Sequence, residues 1–496
     1  MISPYEYYKS ENVIKRMLEY CGADISEFEL EQDCDRLVNS KKLKIASESM
    51  STEYLVGWGK KLLEERGREF ESVRNYSLGW LLDNSFDVFR SVWDSKSMLF
   101  VIDVEYYSKK YPQIPYIDQE YTFKCIEPYF MIIKDILQEY GILPMIIATG
   151  QGYHFVFQVN TDSEAFDALS RIGHVEDTLL GKYSHLPEGS RRERMVSEKE
   201  GCAYDGVGKL LEYIYHKVVQ SIHGRDDLLP LMVGDISVGN EKMEAISFDL
   251  SGYANPIFMR DIRLPFSTHQ KHKVHPYKIG HENAKLIPIQ IAVPRYVPGQ
   301  VELSLKEIFE LRRHYAKTAE FAGKISCRIP VYNEEVQTMV NEYLSSKLYE
   351  FHKDFDMTHQ EPYSSWEYTY DKFDLSQIPP CVAHVLANPN PTLLQPTQIQ
   401  TLVRVLAGKQ WWHPKHIAGL IRSKYERNYG WEVDFFKYDA NTWACSWVRI
   451  YAGMMAVGTD DLCDFNCISH QEKGISWAGK PYCVKPNCGY SLGSYR

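Results

Sequence analysis

With 496 residues the chain is too long for a single hydrophobic core, so two to four domains are expected. Its composition, 44% hydrophobic and 25% charged with no low-complexity tract or short-period repeat, excludes disordered and solenoid classes. A formal net charge of −10 and a pI near 5.9 argue against nonspecific coating of nucleic acid, while leaving room for a local basic surface.

The N-terminus, MISPYEYYKSENVIKR, has no apolar signal region, and no apolar run approaches the roughly 18 residues needed to span a bilayer. A soluble, cytoplasmic chain with no membrane partner is expected. Residues 1–95 read as a helical accessory region, because VIKRMLEYCG, EYLVGWGKKLLEERG and SLGWLLDNSFDVFRSVW carry apolar residues at helical spacing.

From residue 96 to 300 the pattern mixes strands and helices. MLFVID is a short apolar strand, and TFKCIEPYFMIIKDILQEYG a helix ending at Gly141. MIIATG and YHFVFQV form a hairpin about Gln151 and Gly152, VGKLLEYIYHKVV is a further helix, and ISFDLSGY a further strand. The expected fold class is α+β, with a mixed rather than doubly wound domain. Residues 301–375 are expected to be a helix (LSLKEIFELRRHYAK) followed by a polar, aromatic linker (EPYSSWEYTYDKFD). Residues 376–496 read as a mainly helical domain with cysteines at its end.

In LFVIDVEYY, Asp103 and Glu105 are one residue apart, a spacing that points both carboxylates to one face of a strand. Two adjacent carboxylates repel unless a positive charge sits between them, and a divalent cation is the usual one. The alternation of ISFDLSGY puts Asp249 on the polar face of its strand, with Ile246 and Phe248 opposite. Hard ions such as Mg²⁺ take oxygen ligands, and a pair of them serves in-line displacement at phosphorus. A D-x-E pair alone is common at solvated strand ends; its context is what matters. ATGQGYHFVFQV places a small-residue turn before His154, so backbone N–H groups and an imidazole can approach one phosphate. MRDIRLPFSTHQKHK then offers Arg263, Ser267, His269 and Lys271 as donors suited to triphosphate oxygens, although a basic surface loop has the same composition.

In this order these elements resemble the archaeo-eukaryotic primase superfamily, over about residues 95 to 290. Asp103 and Glu105 match its first motif. Thr149, Gly150, Gly152 and His154 match its second, and Asp249 its third, with Arg263, Leu264, Pro265, Ser267, His269 and Lys271 following. The resemblance implies an RRM-like antiparallel catalytic sheet, two Mg²⁺ or Mn²⁺ ions on Asp103, Glu105 and Asp249, and nucleotide binding by the second-motif and donor residues. Three departures stand out. Thr149 replaces the usual Ser; the pair is Asp-x-Glu, as in primase-polymerases; and Cys202 with His174 and His185 lacks the spacing of a zinc knuckle.

Eleven cysteines, six of them from Cys381 onward and four of those in the last 34 residues, suggest metal or cluster ligation in a chain without a signal peptide. Cys463, Cys467, Cys483 and Cys488 alone fit a four-thiolate zinc site. With Cys381 at the head of IPPCVAHVLANP, the layout is similar to the C-terminal domain of the large primase subunit. That resemblance implies a [4Fe-4S] cluster on Cys381, Cys467, Cys483 and Cys488, with Cys463 as the alternate and Zn²⁺ as the alternative occupant. Lys409, Trp411, Trp412, His413, Lys415, His416, Arg422, Lys424 and Arg427 mix rings and cations, a composition suited to nucleic acid and equally to a core.

The expected activity is primer synthesis and extension on a single-stranded DNA template from NTP or dNTP, at the nucleoid or replication site, with a helicase or another replication protein as candidate partner. The alternatives are a non-initiating repair or end-extending polymerase, a non-catalytic nucleic-acid-binding subunit of a replication or defence complex, and a metal-dependent nuclease.

Overall fold

The computed structural model describes residues 3–31, 35–183, 196–234, 238, 241–253, 260–410, 412–427, 440–460, 466–476 and 479–495. The chain is an α+β protein. Its strands are β1 (Leu55–Trp58), β2 (Phe70–Val73), β3 (Asp87–Ser91), β4 (Ser97–Ser108), β5 (Met145–Ala148), β6 (Gly152–Asn160), β7 (Leu231–Val233), β8 (Glu244–Asp249), β9 (Asp261–Arg263), β10 (Thr268–His269), β11 (Gln290–Ile291), β12 (Val293–Val297) and β13 (Val301–Glu302).

The central sheet has the order β13-β12-β5-β6-β4-β8-β7, antiparallel throughout except for the parallel pair β7 and β8. Strand period two divides it into two faces. Phe100, Ile102 and Val104 of β4 pair with Phe157, Phe155 and Tyr153 of β6, and Phe100 stacks on Phe157 at 4.6 Å. The helix Gln119–Glu139 covers this face, with Tyr121 against Tyr106 and with Phe123 and Phe130 against Tyr153. Apart from the half-buried Tyr121 these rings are buried, and each buried one stabilises the layer by about 2 kcal/mol. On the opposite face Asp103, Glu105 and Tyr107 remain half-buried.

The N-terminal region departs from the helical expectation for residues 1–95. EYLVGWGKKLLEERG divides into β1 and the helix Lys60–Arg66, and SLGWLLDNSFDVFRSVW into the helix Leu78–Asp83 and β3. Periodicity cannot separate strand from helix in apolar runs this short. The pairing that decides the matter is non-local: β3 joins β9 in a second sheet of order β2-β1-β3-β9. That sheet crosses the expected boundary at residue 95, so the N-terminal region and the segment after it share one core.

The segment 301–375 carries helices Leu305–Leu311, Tyr315–Ala322, Asn333–Tyr343 and Lys347–Met357 rather than one helix and a linker. Within EPYSSWEYTYDKFD, Trp366 is buried, donates from Nε1 to the Glu361 carbonyl at 2.9 Å and lies beneath Arg422 and Arg427. Beyond it the helices Pro380–Ala387, Pro396–Val403, Pro414–Tyr425, Ala440–Val457 and Cys467–Glu472 form a C-terminal lobe. Proline at the first turn of three of them suits a position whose N–H has no helical partner.

A buried ionic seam joins the helix Lys347–Met357 and this lobe to the helix Glu198–Ser221. Arg449 donates to Asp205 at 2.7 Å, Lys209 lies 3.1 Å from Asp205 and also pairs with Asp356, and His352 lies 3.1 Å from Glu212. Among the described residues no helix is long and apolar enough to cross a membrane.

Candidate active site

The register of the central sheet sets three acids on one face. Asp103 lies directly between His154 of β6 and Asp249 of β8, and Glu105 lies between Gly152 and Ser247. His154 Nε2 is 3.5 Å from Asp103 Oδ1. Burial pushes the His154 imidazole down to about 4, against the pull of Glu105, so it is neutral at pH 7. Asp249 Oδ1 accepts from the Ser251 N–H at 2.8 Å, which fixes the end of β8. Asp261, the other acid near this strand, instead pairs with Ser91 in the second sheet.

Two cavities meet at these acids. The larger, about 640 Å³, has Asp103, Glu105 and Asp249 on one wall and Gln395, Thr397, Trp443, Trp447 and Tyr482 of the C-terminal lobe on the other. Lys109, just beyond β4, ties the walls together by donating to the carbonyls of Lys473 at 2.7 Å and Ile475 at 3.0 Å. The smaller, about 220 Å³, shares Glu105, Tyr107 and Ser247 with the first and is lined by Gln151, Lys271, His272, His275 and Lys278. One cavity is therefore aromatic and polar, the other basic, and Glu105 borders both.

The hairpin between β5 and β6 is closed by the Thr149 N–H donating to the Gly152 carbonyl at 2.8 Å. Gly152 is required by contact: a Cβ there would lie 1.9 Å from the Val104 carbonyl oxygen. At Gly150 a Cβ would lie 2.1 Å from His269 Nε2, so the imidazole rests on the turn. Burial, then the charges of Arg263 and Arg312, push His269 well below the usual histidine range.

Arg263 and Ser267 are engaged elsewhere. Arg263 Nη1 lies 2.9 Å from the buried Asp87 and stacks over Phe89 at 4.4 Å. Ser267 Oγ accepts from the Val88 N–H at 2.7 Å. Asp87 also accepts from Thr268 Oγ1 at 2.8 Å and from the Gln270 N–H at 3.0 Å, while Tyr8 accepts from the Thr268 N–H at 2.8 Å. These contacts hold the segment against β3, and from it His269 reaches the turn and Lys271 the basic cavity.

Sequence reasoning passed over Asp87, whose only signal is an acid inside the apolar run FDVFR. It also missed Arg312, from LRRHY. This guanidinium is fully buried, has no hydrogen-bond partner among the described residues on any of its three nitrogens, and lies over Phe123 at 5.2 Å. Burial lowers it to about 9.

In the C-terminal lobe Cys381, Cys467, Cys483 and Cys488 line one cavity of about 110 Å³, together with His470. Burial and then the neighbouring Cys483, Cys488 and Cys467 push the Cys381 thiol up to about 12. The Leu492 N–H donates to Cys467 Sγ at 3.2 Å. Cys463 and Trp411 lie outside the described residues. Among the described residues no three His, Cys, Asp or Glu side chains converge tightly enough to hold a single ion.

Much of the expected ring-and-cation set packs within the protein. Trp412 meets Phe373 at 4.9 Å, His413 lies 2.9 Å from Asp354, and Lys415 pairs with Glu176 at 2.5 Å. Arg422 pairs with Glu426, Lys424 and Arg427 with Asp371, and Lys409 donates to Ser494 Oγ. His416 has its ring 6.3 Å from that of Tyr370. No family model, curated protein or solved structure matches the chain.

Proposed function

We propose that the chain is a DNA primase-polymerase of the archaeo-eukaryotic primase superfamily, with the central sheet as its RRM-like catalytic sheet. One observation carries the reading: Asp103, Glu105 and Asp249 share one face of adjacent strands where an aromatic and a basic cavity meet. The donor set fits the ions required, because three carboxylates offer only hard oxygen ligands. Asp103, Glu105 and Asp249 would hold two Mg²⁺ or Mn²⁺ ions, which would supply a lowered pKa for an attacking hydroxyl and shielding of the leaving pyrophosphate.

The chain's own residues position the reactants. His154, neutral and set beside Asp103, donates a hydrogen bond without adding charge. Lys271 and Lys278 line the basic cavity and attract the triphosphate of an incoming nucleotide. Trp443 and Trp447 give the larger cavity flat faces on which a base of the template or of a first nucleotide stacks. Two cavities flanking the acids favour a protein that joins two nucleotides over one that only extends an end.

The lobe's four thiols form a soft donor set around one space, a spread that suits a [4Fe-4S] cluster; Zn²⁺, the alternative occupant, would need them drawn closer together. Protein purified without oxygen is brown only if the cluster is present.

The test is primer synthesis on single-stranded DNA with NTP or dNTP and Mg²⁺ or Mn²⁺, without added primer. The wild type should make primers and Asp103→Ala none; undiminished synthesis by the variant rejects the assignment. A wild type that extends a primer but starts none is an end-extending polymerase, and one that cuts labelled DNA without nucleotides is a nuclease.

A further inference from the structure

The cysteine cavity contains a fifth donor. The helix Cys467–Glu472 begins at Asn466, whose Oδ1 accepts from the Ser469 N–H at 2.9 Å, and it places Cys467 and His470 one turn apart on the same side. Both residues line the 110 Å³ cavity. His470 is 2% exposed, and its Nε2 lies 3.1 Å from the carbonyl oxygen of Tyr482.

A carbonyl oxygen only accepts, so the proton of the ring sits on Nε2. The neutral ring then carries a lone pair on Nδ1, and that atom is buried without a hydrogen-bond partner among the described residues. Because His470 and the four thiols line the same cavity, its buried acceptor is available to a Lewis acid held among them. An imidazole whose other nitrogen is fixed by a backbone carbonyl is the arrangement that orients histidine ligands in metal sites.

We infer that His470 is itself a ligand, through Nδ1, of the metal group held in the cysteine cavity, giving a mixed thiolate–imidazole site with one of the four thiols spare. The inference rests on the reading that this lobe holds an iron–sulfur cluster or zinc. Exchanging a thiolate for a neutral imidazole removes one negative charge, which makes a cluster easier to reduce.

The full chain, purified without oxygen, is analysed for iron and zinc and then by X-ray absorption at the edge of the metal found. If iron is found, nitrogen hyperfine spectroscopy of the reduced protein is added. The wild type should show one nitrogen in the metal shell, and His470→Ala should lose it. One of the single Cys→Ser variants at Cys381, Cys467, Cys483 and Cys488 should keep the wild-type metal content. An all-sulfur shell in the wild type overturns the inference while leaving the cofactor reading intact, and this decides the matter even if His470→Ala fails to fold. Protein with neither iron nor zinc overturns both, and primer synthesis dependent on Asp103 remains a separate measurement.

Discussion

Asp103 and Asp249 are direct cross-strand partners, two carboxylates facing each other from adjacent antiparallel strands. Like charges so placed destabilise a sheet by a few tenths of a kcal/mol to about 1 kcal/mol. A neutral isostere should relieve that cost while removing a metal oxygen. Asp249→Asn is therefore expected to melt at the same temperature as the wild type or slightly higher, and to lose about 10²-fold or more in single-turnover nucleotide addition. Thermal unfolding and a rapid-quench assay on one preparation check both halves.

The two hairpin glycines should separate stability from binding. A methyl at Gly152 meets backbone, the Val104 carbonyl at 1.9 Å and the Glu105 Cα at 2.8 Å, so β4 and β6 must part. Gly152→Ala is expected to cost roughly 3 kcal/mol or more in denaturant unfolding. At Gly150 the obstacle is the His269 ring. Gly150→Ala should cost about 1 kcal/mol, because a side chain can turn aside, and should raise the KM for nucleotide more than it lowers kcat.

Asp87 and Arg312 make opposite predictions for buried charge. Asp87→Ala leaves Arg263 buried without its carboxylate and frees Thr268 and Gln270, so a loss of about 3 to 5 kcal/mol is expected. Arg312→Met removes a cation that has no hydrogen-bond partner to lose among the described residues, and stability should hold or rise. If the Arg312 charge supports triphosphate binding across His269, the same variant should bind nucleotide more weakly, as calorimetry with inorganic triphosphate would register.

Acid should open the seam between the helix Glu198–Ser221 and the C-terminal lobe. Burial pushes His216 down to about 4 in the fold, against about 6.5 in an unfolded chain. The unfolded state thus binds the extra proton first, and stability falls as pH drops from about 6.5 to 4, by roughly 3 kcal/mol for this residue. Glu212 adds to the loss in the same direction. Burial alone would raise it, but His352, then Arg449 and His216, hold it down to about 2, so its contribution fades below about 4.5. Urea unfolding should give a flat free energy above pH 7 and a decline below 6.5 that His216→Gln makes shallower.

What could be read in the sequence and what could not divides along local and non-local lines. Period two put Asp103 and Glu105 on one face and Asp249 opposite Ile246 and Phe248, and the register agrees with both. That β8 lies beside β4 was not legible, since nothing local specifies it. For the same reason β3 was hidden inside an apparent helix: its partner β9 lies far along the chain. Arg263 and Ser267 looked like free donors because their partners, Asp87 and Val88, come from the N-terminal region. Arg312 and His470 carry no motif at all; only burial marks them.

Manganese binding tests the central claim most directly. With a non-hydrolysable nucleoside triphosphate and single-stranded DNA present, electron paramagnetic resonance titration of the wild type should show two bound Mn²⁺ per chain, with spin coupling between them. Asp103→Ala and Asp249→Asn should each lose at least one ion and the coupling. A wild type that binds no Mn²⁺, or binds it equally well without either carboxylate, contradicts the account.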